Sequence, residues 1–138
     1  MDRLIERYRT ARQALATLEE LLGTNNVSAV YRDAAIQRFE YTFESVWKAA
    51  KVYLSVVEGV EARSPKQVIR ACFQIGLLSR QETERALVMV DDRNLTSHTY
   101  HEGVAISIYN NLPEYAEIME RWLTAMAGML PADDSGDK

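Results

Sequence analysis

One cysteine, Cys72, excludes a disulfide framework and a cysteine-built metal site. No apolar run reaches the roughly eighteen residues that a membrane-spanning helix requires. The opening residues, MDRLIERYRT, carry charge from the second position and contain no apolar signal-peptide stretch, so no secretory signal is expected and the expected location is the cytoplasm. Basic residues are not in excess. Lys and Arg number 16 against 20 Asp and Glu, for a net charge of −4, which argues against an avid general nucleic-acid binder. It leaves room for an enzyme that touches a few phosphates. No convincing run alternates apolar and polar residues with period two, so no β-structure is expected. What remains is a chain of 138 residues, 47% apolar and 26% charged, long enough for one domain with a real core.

The apolar residues recur at helical spacing. Leu4, Tyr8, Ala11, Leu15, Leu18 and Leu22 step by threes and fours, which predicts a first helix closed by Gly23 and a GTNN turn. Ile36, Phe39, Phe43, Val46, Ala50, Tyr53 and Val57 predict a long second helix ending at Gly59, with Glu44 and Lys48 as an i,i+4 pair. A third helix begins with Ser64 as cap, Pro65 at the first helical position and Gln67 completing a capping box, and runs to Gly76. Ser79 and Glu82 repeat that signal for a fourth, whose apolar residues are Leu87, Val88 and Val90. Val104, Ile108, Tyr115, Met119, Trp122 and Met126 mark a fifth, with a kink or break expected near Asn110 to Leu112 because Pro113 interrupts it. The expectation is an all-α, antiparallel four- to five-helix up-and-down bundle over 1–130, followed by a disordered polar tail, PADDSGDK, over 131–138.

The stretch DDRNLTSHTYHEG, Asp91 to Gly103, concentrates the chemistry. Arg93, His98 and Tyr100 form R-x-x-x-x-H-x-Y. Arg93 and His98 would lie about 140° apart on a straight helix. They can act together only if the helix ends or unwinds between them, or if a second subunit completes the site. A neutral imidazole can take the proton of a ribose 2′-hydroxyl, and a guanidinium can hold the phosphate, with no metal needed. A structural reading stands beside this one. Arg93 could pair with Asp91, Asp92 or Glu102, His98 could answer the helix dipole, and Tyr100 could be a packed ring with a wet hydroxyl.

Elsewhere, Phe39 and Phe43 follow the stripe and read as core, while Trp47 lies one step off it and reads as an interface residue. Glu40 and Glu44 share a helix face, but no Glu-x-x-His accompanies them, so a di-metal site is not expected. Arg3, Arg7, Arg9 and Arg12 read as a solvated face, with phosphate or partner binding as the alternative. His101 is expected to be exposed and Cys72 to be a small buried hydrophobe.

Three blocks carry a family resemblance: IQRFEYTFESVWKAAKVYL (Ile36 to Leu54), SPKQVIRACFQIGLL (Ser64 to Leu78) and RNLTSHTYHE (Arg93 to Glu102). Together with the bundle layout they resemble the HEPN superfamily, and within it the HepT-like nucleotidyltransferase substrate-binding proteins, over about residues 1 to 127. The resemblance implies a homodimer that brings two R-x-x-x-x-H motifs together. It implies a metal-independent ribonuclease toxin with Arg93 and His98 catalytic and Asn94 supporting them. It also implies a minimal nucleotidyltransferase partner that uses ATP to place AMP on Tyr100 as the antitoxin step. The toxin itself would need no cofactor, its substrate would be RNA, and no membrane would be involved. The alternative within the same family is a non-catalytic substrate-binding subunit of a two-component nucleotidyltransferase. A basic patch at the dimer seam is expected from Arg93 of both chains, with Arg38 or Lys48.

Overall fold

The computed structural model describes residues 1–24 and 28–130. Five α-helices follow one another: α1 (Asp2–Leu22), α2 (Ala29–Glu58), α3 (Pro65–Gln74), α4 (Arg80–Asn94) and α5 (Glu102–Ala127), with a 3₁₀ turn at Thr96–His98 between the last two. No strand occurs among the described residues. The asparagines of the GTNN turn and the tail 131–138 lie outside the described residues.

Polar contacts fix the helix directions. Thr42 Oγ1 donates to the Ala14 carbonyl and Arg38 donates to the Thr17 carbonyl, so α1 and α2 run antiparallel. Arg121 reaches Glu82, Arg85 reaches Glu114, and Asn111 reaches Asp92, so α4 and α5 are antiparallel too. Between the two pairs lies one continuous core. Phe39, Phe43, Tyr115, Trp122, Leu15 and Met119 are each essentially fully buried there. The Phe39 and Tyr115 rings stack at 5.6 Å, a contact that adds to the large apolar area each ring buries.

The stripes of α1 and α2 match the core face, except that Leu21 is buried where Leu22 is only partly so, and that Val57 near the end of α2 is only partly buried. Trp47 corrects the interface expectation: it is 9% exposed and packed in the core. The reason is that α2 contacts every other helix, so its buried face is wider than one stripe. Burial leaves the Trp47 indole N–H without a partner among the described residues. On α4 the core takes Thr83, Ala86, Met89 and Val90, while Val88 faces out.

The helix ends are chemically explicit. Ser79 and Glu82 form the full reciprocal capping box on α4. At α3 the Ser64 hydroxyl accepts from the Gln67 N–H as expected, but the Gln67 side chain reaches back to the N–H of Arg63, one residue further than a capping box requires. Gly76 adopts φ 88°, and Leu77 N–H reaches the Cys72 carbonyl at 2.9 Å, a wrap-around closure that favours glycine at the left-handed position. Helix α5 continues unbroken through Pro113, so no break forms near Asn110 to Leu112. Pro113 sits on the exposed side, where water can take the carbonyl it leaves free, while Leu112, Tyr115 and Ala116 beside it are buried.

Cys72 is fully buried, as its sequence context suggests, and burial pushes its thiol from 9.0 up to about 11. The neutral thiol is therefore favoured by folding. Its contribution is complete below pH 9 and is lost as pH rises from 9 towards 11, amounting to roughly 2–3 kcal/mol at most. Urea titrations of wild type and Cys72→Ala over that range should show a shallower alkaline decline in the variant, and parallel declines would refute the assignment. Pro113→Ala should raise stability by about 1–2 kcal/mol by restoring a helical N–H. An unchanged unfolding midpoint would mean that packing already compensates the proline.

Candidate functional site

Helix α4 ends at Asn94, between Arg93 and His98, and the chain tightens into the 3₁₀ turn Thr96–His98. Leu95 N–H bonds the Asp91 and Asp92 carbonyls, Thr96 Oγ1 donates to the Arg93 carbonyl at 2.8 Å, and His98 N–H bonds the Leu95 carbonyl. A hydroxyl side chain and the tightened turn thus take up the orphaned carbonyls as the helix ends. The geometric condition that the motif spacing imposes is met. His101 then begins α5 with its carbonyl accepting from Ala105 N–H, and its side chain makes no cap bond.

His98 and Tyr100 are brought together. The Tyr100 hydroxyl lies 3.5 Å from His98 Nδ1, a long and weak contact, and the Tyr100 ring sits 4.4 Å from that of His101. Tyr100 is 75% exposed, the most open of the tyrosines. His98 and His101 are also exposed. Asn94 is exposed at the end of α4 and hydrogen-bonds neither Arg93 nor His98.

Arg93 is elsewhere engaged. Its Nε donates to Glu44 Oε2 at 3.2 Å, and its Nη1 lies 3.7 Å from Glu40 Oε2. No hydrogen bond joins it to His98 among the described residues. The partners expected from sequence are all taken by others: Asp91 pairs with Lys66, Asp92 accepts from Tyr115 and Asn111, and Glu102 lies 3.8 Å from Arg32. Glu40 and Glu44 are visible in the sequence as a pair on one face of α2, yet their role as arginine ligands needs the tertiary fold. No cluster of three metal-ligating side chains occurs among the described residues.

The cations from which a basic patch is expected each lie near a carboxylate of the same chain. Lys48 lies 3.7 Å from Glu44, and Arg38 donates to the Thr17 carbonyl and sits 3.6 Å from Glu20. On α1, Arg12 is not simply solvated: it bonds Glu120 at 2.7 Å, Thr124 and the Tyr8 hydroxyl. Hydrogen bonding to Arg12 holds the Glu120 carboxyl below its usual range.

Immediately before Arg93, Asp92 accepts from the Tyr115 hydroxyl at 2.7 Å and from Asn111 at 3.2 Å. Burial first, and then the bond to Asp92, raise the Tyr115 phenol well above its usual range. It therefore stays a donor at every physiological pH. The site's arginine is anchored through this neighbour to the core.

Known proteins share both the sequence pattern and the fold. The family described as nucleotidyltransferase substrate binding protein like matches residues 6–128. The chain belongs to this family. A Haemophilus influenzae relative of this family member, named "Probable ribonuclease HepT", is 28% identical over 85 residues, covering 59% of this chain and 57% of that protein. The match thus spans little more than half the length of that curated relative. A crystal structure from Thermus thermophilus is 54% identical with a TM-score of 0.82, covering 84% of this chain and 98% of that one. The tri-AMPylated Shewanella oneidensis HEPN toxin in complex with MNT antitoxin shares the fold at 15% identity, with a TM-score of 0.75, covering 93% of this chain and 98% of that one. No described helix is long and apolar enough to cross a membrane.

Because Asp92 ties Tyr115 to the end of α4, Asp92→Ala should cost about 1–3 kcal/mol, the penalty for leaving a mostly buried donor unmet. Asp91→Ala, which removes only an exposed pair with Lys66, should cost well under about 1 kcal/mol. Denaturant unfolding of the two variants checks this, and equal losses would contradict it.

Proposed function

We propose that this family member is a HEPN-type toxin, paired with a minimal nucleotidyltransferase antitoxin and acting as a metal-independent endoribonuclease in the cytoplasm. The observation that carries the reading is Tyr100: a wide-open tyrosine two residues past His98, with its hydroxyl 3.5 Å from the imidazole. A packed structural tyrosine would bury its ring. The name of the Haemophilus relative and the fold shared with the AMPylated Shewanella toxin support it, and the family description supports the nucleotidyltransferase partner.

In this reading the chain works as a homodimer, so that Arg93 and His98 of both copies line one groove. His98 takes the proton of a ribose 2′-hydroxyl, and the resulting oxygen attacks the adjacent phosphorus. The 5′-oxygen leaves with a proton from an acid in the groove. Arg93 holds the phosphate and offsets charge in the transition state, with Asn94 beside it. The partner nucleotidyltransferase moves AMP from ATP onto the Tyr100 oxygen, with pyrophosphate leaving. The added phosphodiester then fills the space beside His98 and occupies Arg93, so RNA is excluded by bulk and by charge. The second reading, a non-catalytic substrate-binding subunit of a two-component nucleotidyltransferase, is supported by the family's description.

Induction of the wild-type chain without a partner should arrest growth, and His98→Ala should relieve the arrest, with purified cleavage rates falling roughly 10²- to 10⁴-fold. Equal growth of both strains, with cellular RNA left whole, would favour the substrate-binding subunit. Tyr100→Phe should stay toxic and escape neutralisation by the nucleotidyltransferase, and unchanged neutralisation would remove Tyr100 as the target.

A further inference from the structure

The Arg93 guanidinium is not presented to solvent as a free fork. Its Nε is bound by Glu44 Oε2 at 3.2 Å and its Nη1 faces Glu40 Oε2 at 3.7 Å. The remaining nitrogen, Nη2, donates no hydrogen bond among the described residues. The side chain is 28% exposed, and Nη2 is not among the buried polar atoms left without a partner, so this unbonded nitrogen reaches the surface. The other oxygen of Glu44, Oε1, lies 3.7 Å from Lys48 Nζ. The cluster therefore pairs two cations with two anions, and its carboxylates do not confront an approaching phosphate as uncompensated charge.

We propose that Glu44, assisted by Glu40, is the positioning residue for Arg93, holding the guanidinium by Nε and Nη1 so that Nη2 is turned out to donate to a substrate phosphodiester. The inference rests on the ribonuclease reading above. An arginine at a helix end otherwise samples many rotamers. A ligand on a neighbouring rigid helix removes that freedom before substrate arrives. Helix α2 suits the task, because Phe39 and Phe43, on the turns that carry Glu40 and Glu44, are fully buried. The pairing also accounts for two carboxylates on one face of α2 that hold no metal-type ligand set among the described residues. A purely competitive role, in which the carboxylates compete with phosphate for Arg93, predicts the opposite response to their removal.

The test uses the full-length chain and a fluorescein-labelled single-stranded RNA oligonucleotide of mixed sequence, read by anisotropy for binding and by gel for cleavage. Glu44→Ala should weaken binding or slow cleavage on the order of tenfold in the wild-type background, and should do nothing further in an Arg93→Ala background. Glu44→Gln, which keeps an oxygen acceptor and loses the charge, should fall between wild type and Glu44→Ala. It carries the same comparison if Glu44→Ala fails to fold by thermal melting. Losses that multiply across the two Arg93 backgrounds would show a structural role and overturn the proposal. So would tighter binding or faster cleavage by Glu44→Ala. If wild type cuts the RNA and the losses multiply, this inference alone fails. If wild type neither binds nor cuts it, the ribonuclease reading and the inference fail together.

Discussion

The hydroxyl of Tyr115 joins two parts of the molecule that have different requirements. Its ring belongs to the core, fully buried and stacked on Phe39 of α2. Its oxygen donates to Asp92, the residue before Arg93. One side chain on α5 thus connects the packing of the core to the last turn of α4. Loss of the apolar contact would free the ring, and loss of the bond would free the helix end. The bond is short, at 2.7 Å, and a carboxylate accepts it, which puts it among the stronger hydrogen bonds a protein makes. Asn111 adds a second donor to the same carboxylate.

Around that anchor the ion pairs do local work and little global work. Arg85 with Glu114, Arg121 with Glu82 and Arg12 with Glu120 are partly exposed pairs whose worth in stability is small. Their value is directional. They register α4 and α1 against α5 once the apolar residues have brought the helices together. The same logic separates Arg93 from these pairs. Its carboxylates lie on α2 instead, and its hydrogen-bonding edge is only partly spent.

Most of the architecture is readable from spacing. The stripes on α1, α2 and α5 predict the buried faces, and Ser79 with Glu82 predicts a capped start, because those signals are local and depend on a few neighbouring residues. Trp47 escapes the pattern because a stripe describes burial against one neighbour, whereas α2 touches all the other helices. Pro113 escapes it because the rule against mid-helix proline weighs one lost hydrogen bond and cannot see the core residues that hold α5 together on either side. At the site, the spacing discloses the need for a helix end between Arg93 and His98, and Thr96 and Ser97 hint at it. Spacing cannot disclose Glu40 and Glu44 as the partners of Arg93, since the two segments lie about fifty residues apart and only the packing of α4 on α2 joins them. The nearer carboxylates are the natural guess, and each is engaged elsewhere.

Helix α4 is fixed at both ends, by the capping box at Ser79 and by the bond from Tyr115 to Asp92. One residue inserted or deleted between those points would rotate everything beyond it by about 100°. Asp92 would turn away from α5 and Arg93 away from α2 in the same step. The segment therefore has a length that cannot drift by single residues, whatever its composition does. The turn that follows, before α5 begins, has no such double constraint. The fifteen residues of α4 should therefore keep their number among relatives of this chain, and any change of length beyond them should fall after Tyr100, where the spacing from Arg93 to His98 and Tyr100 is already complete.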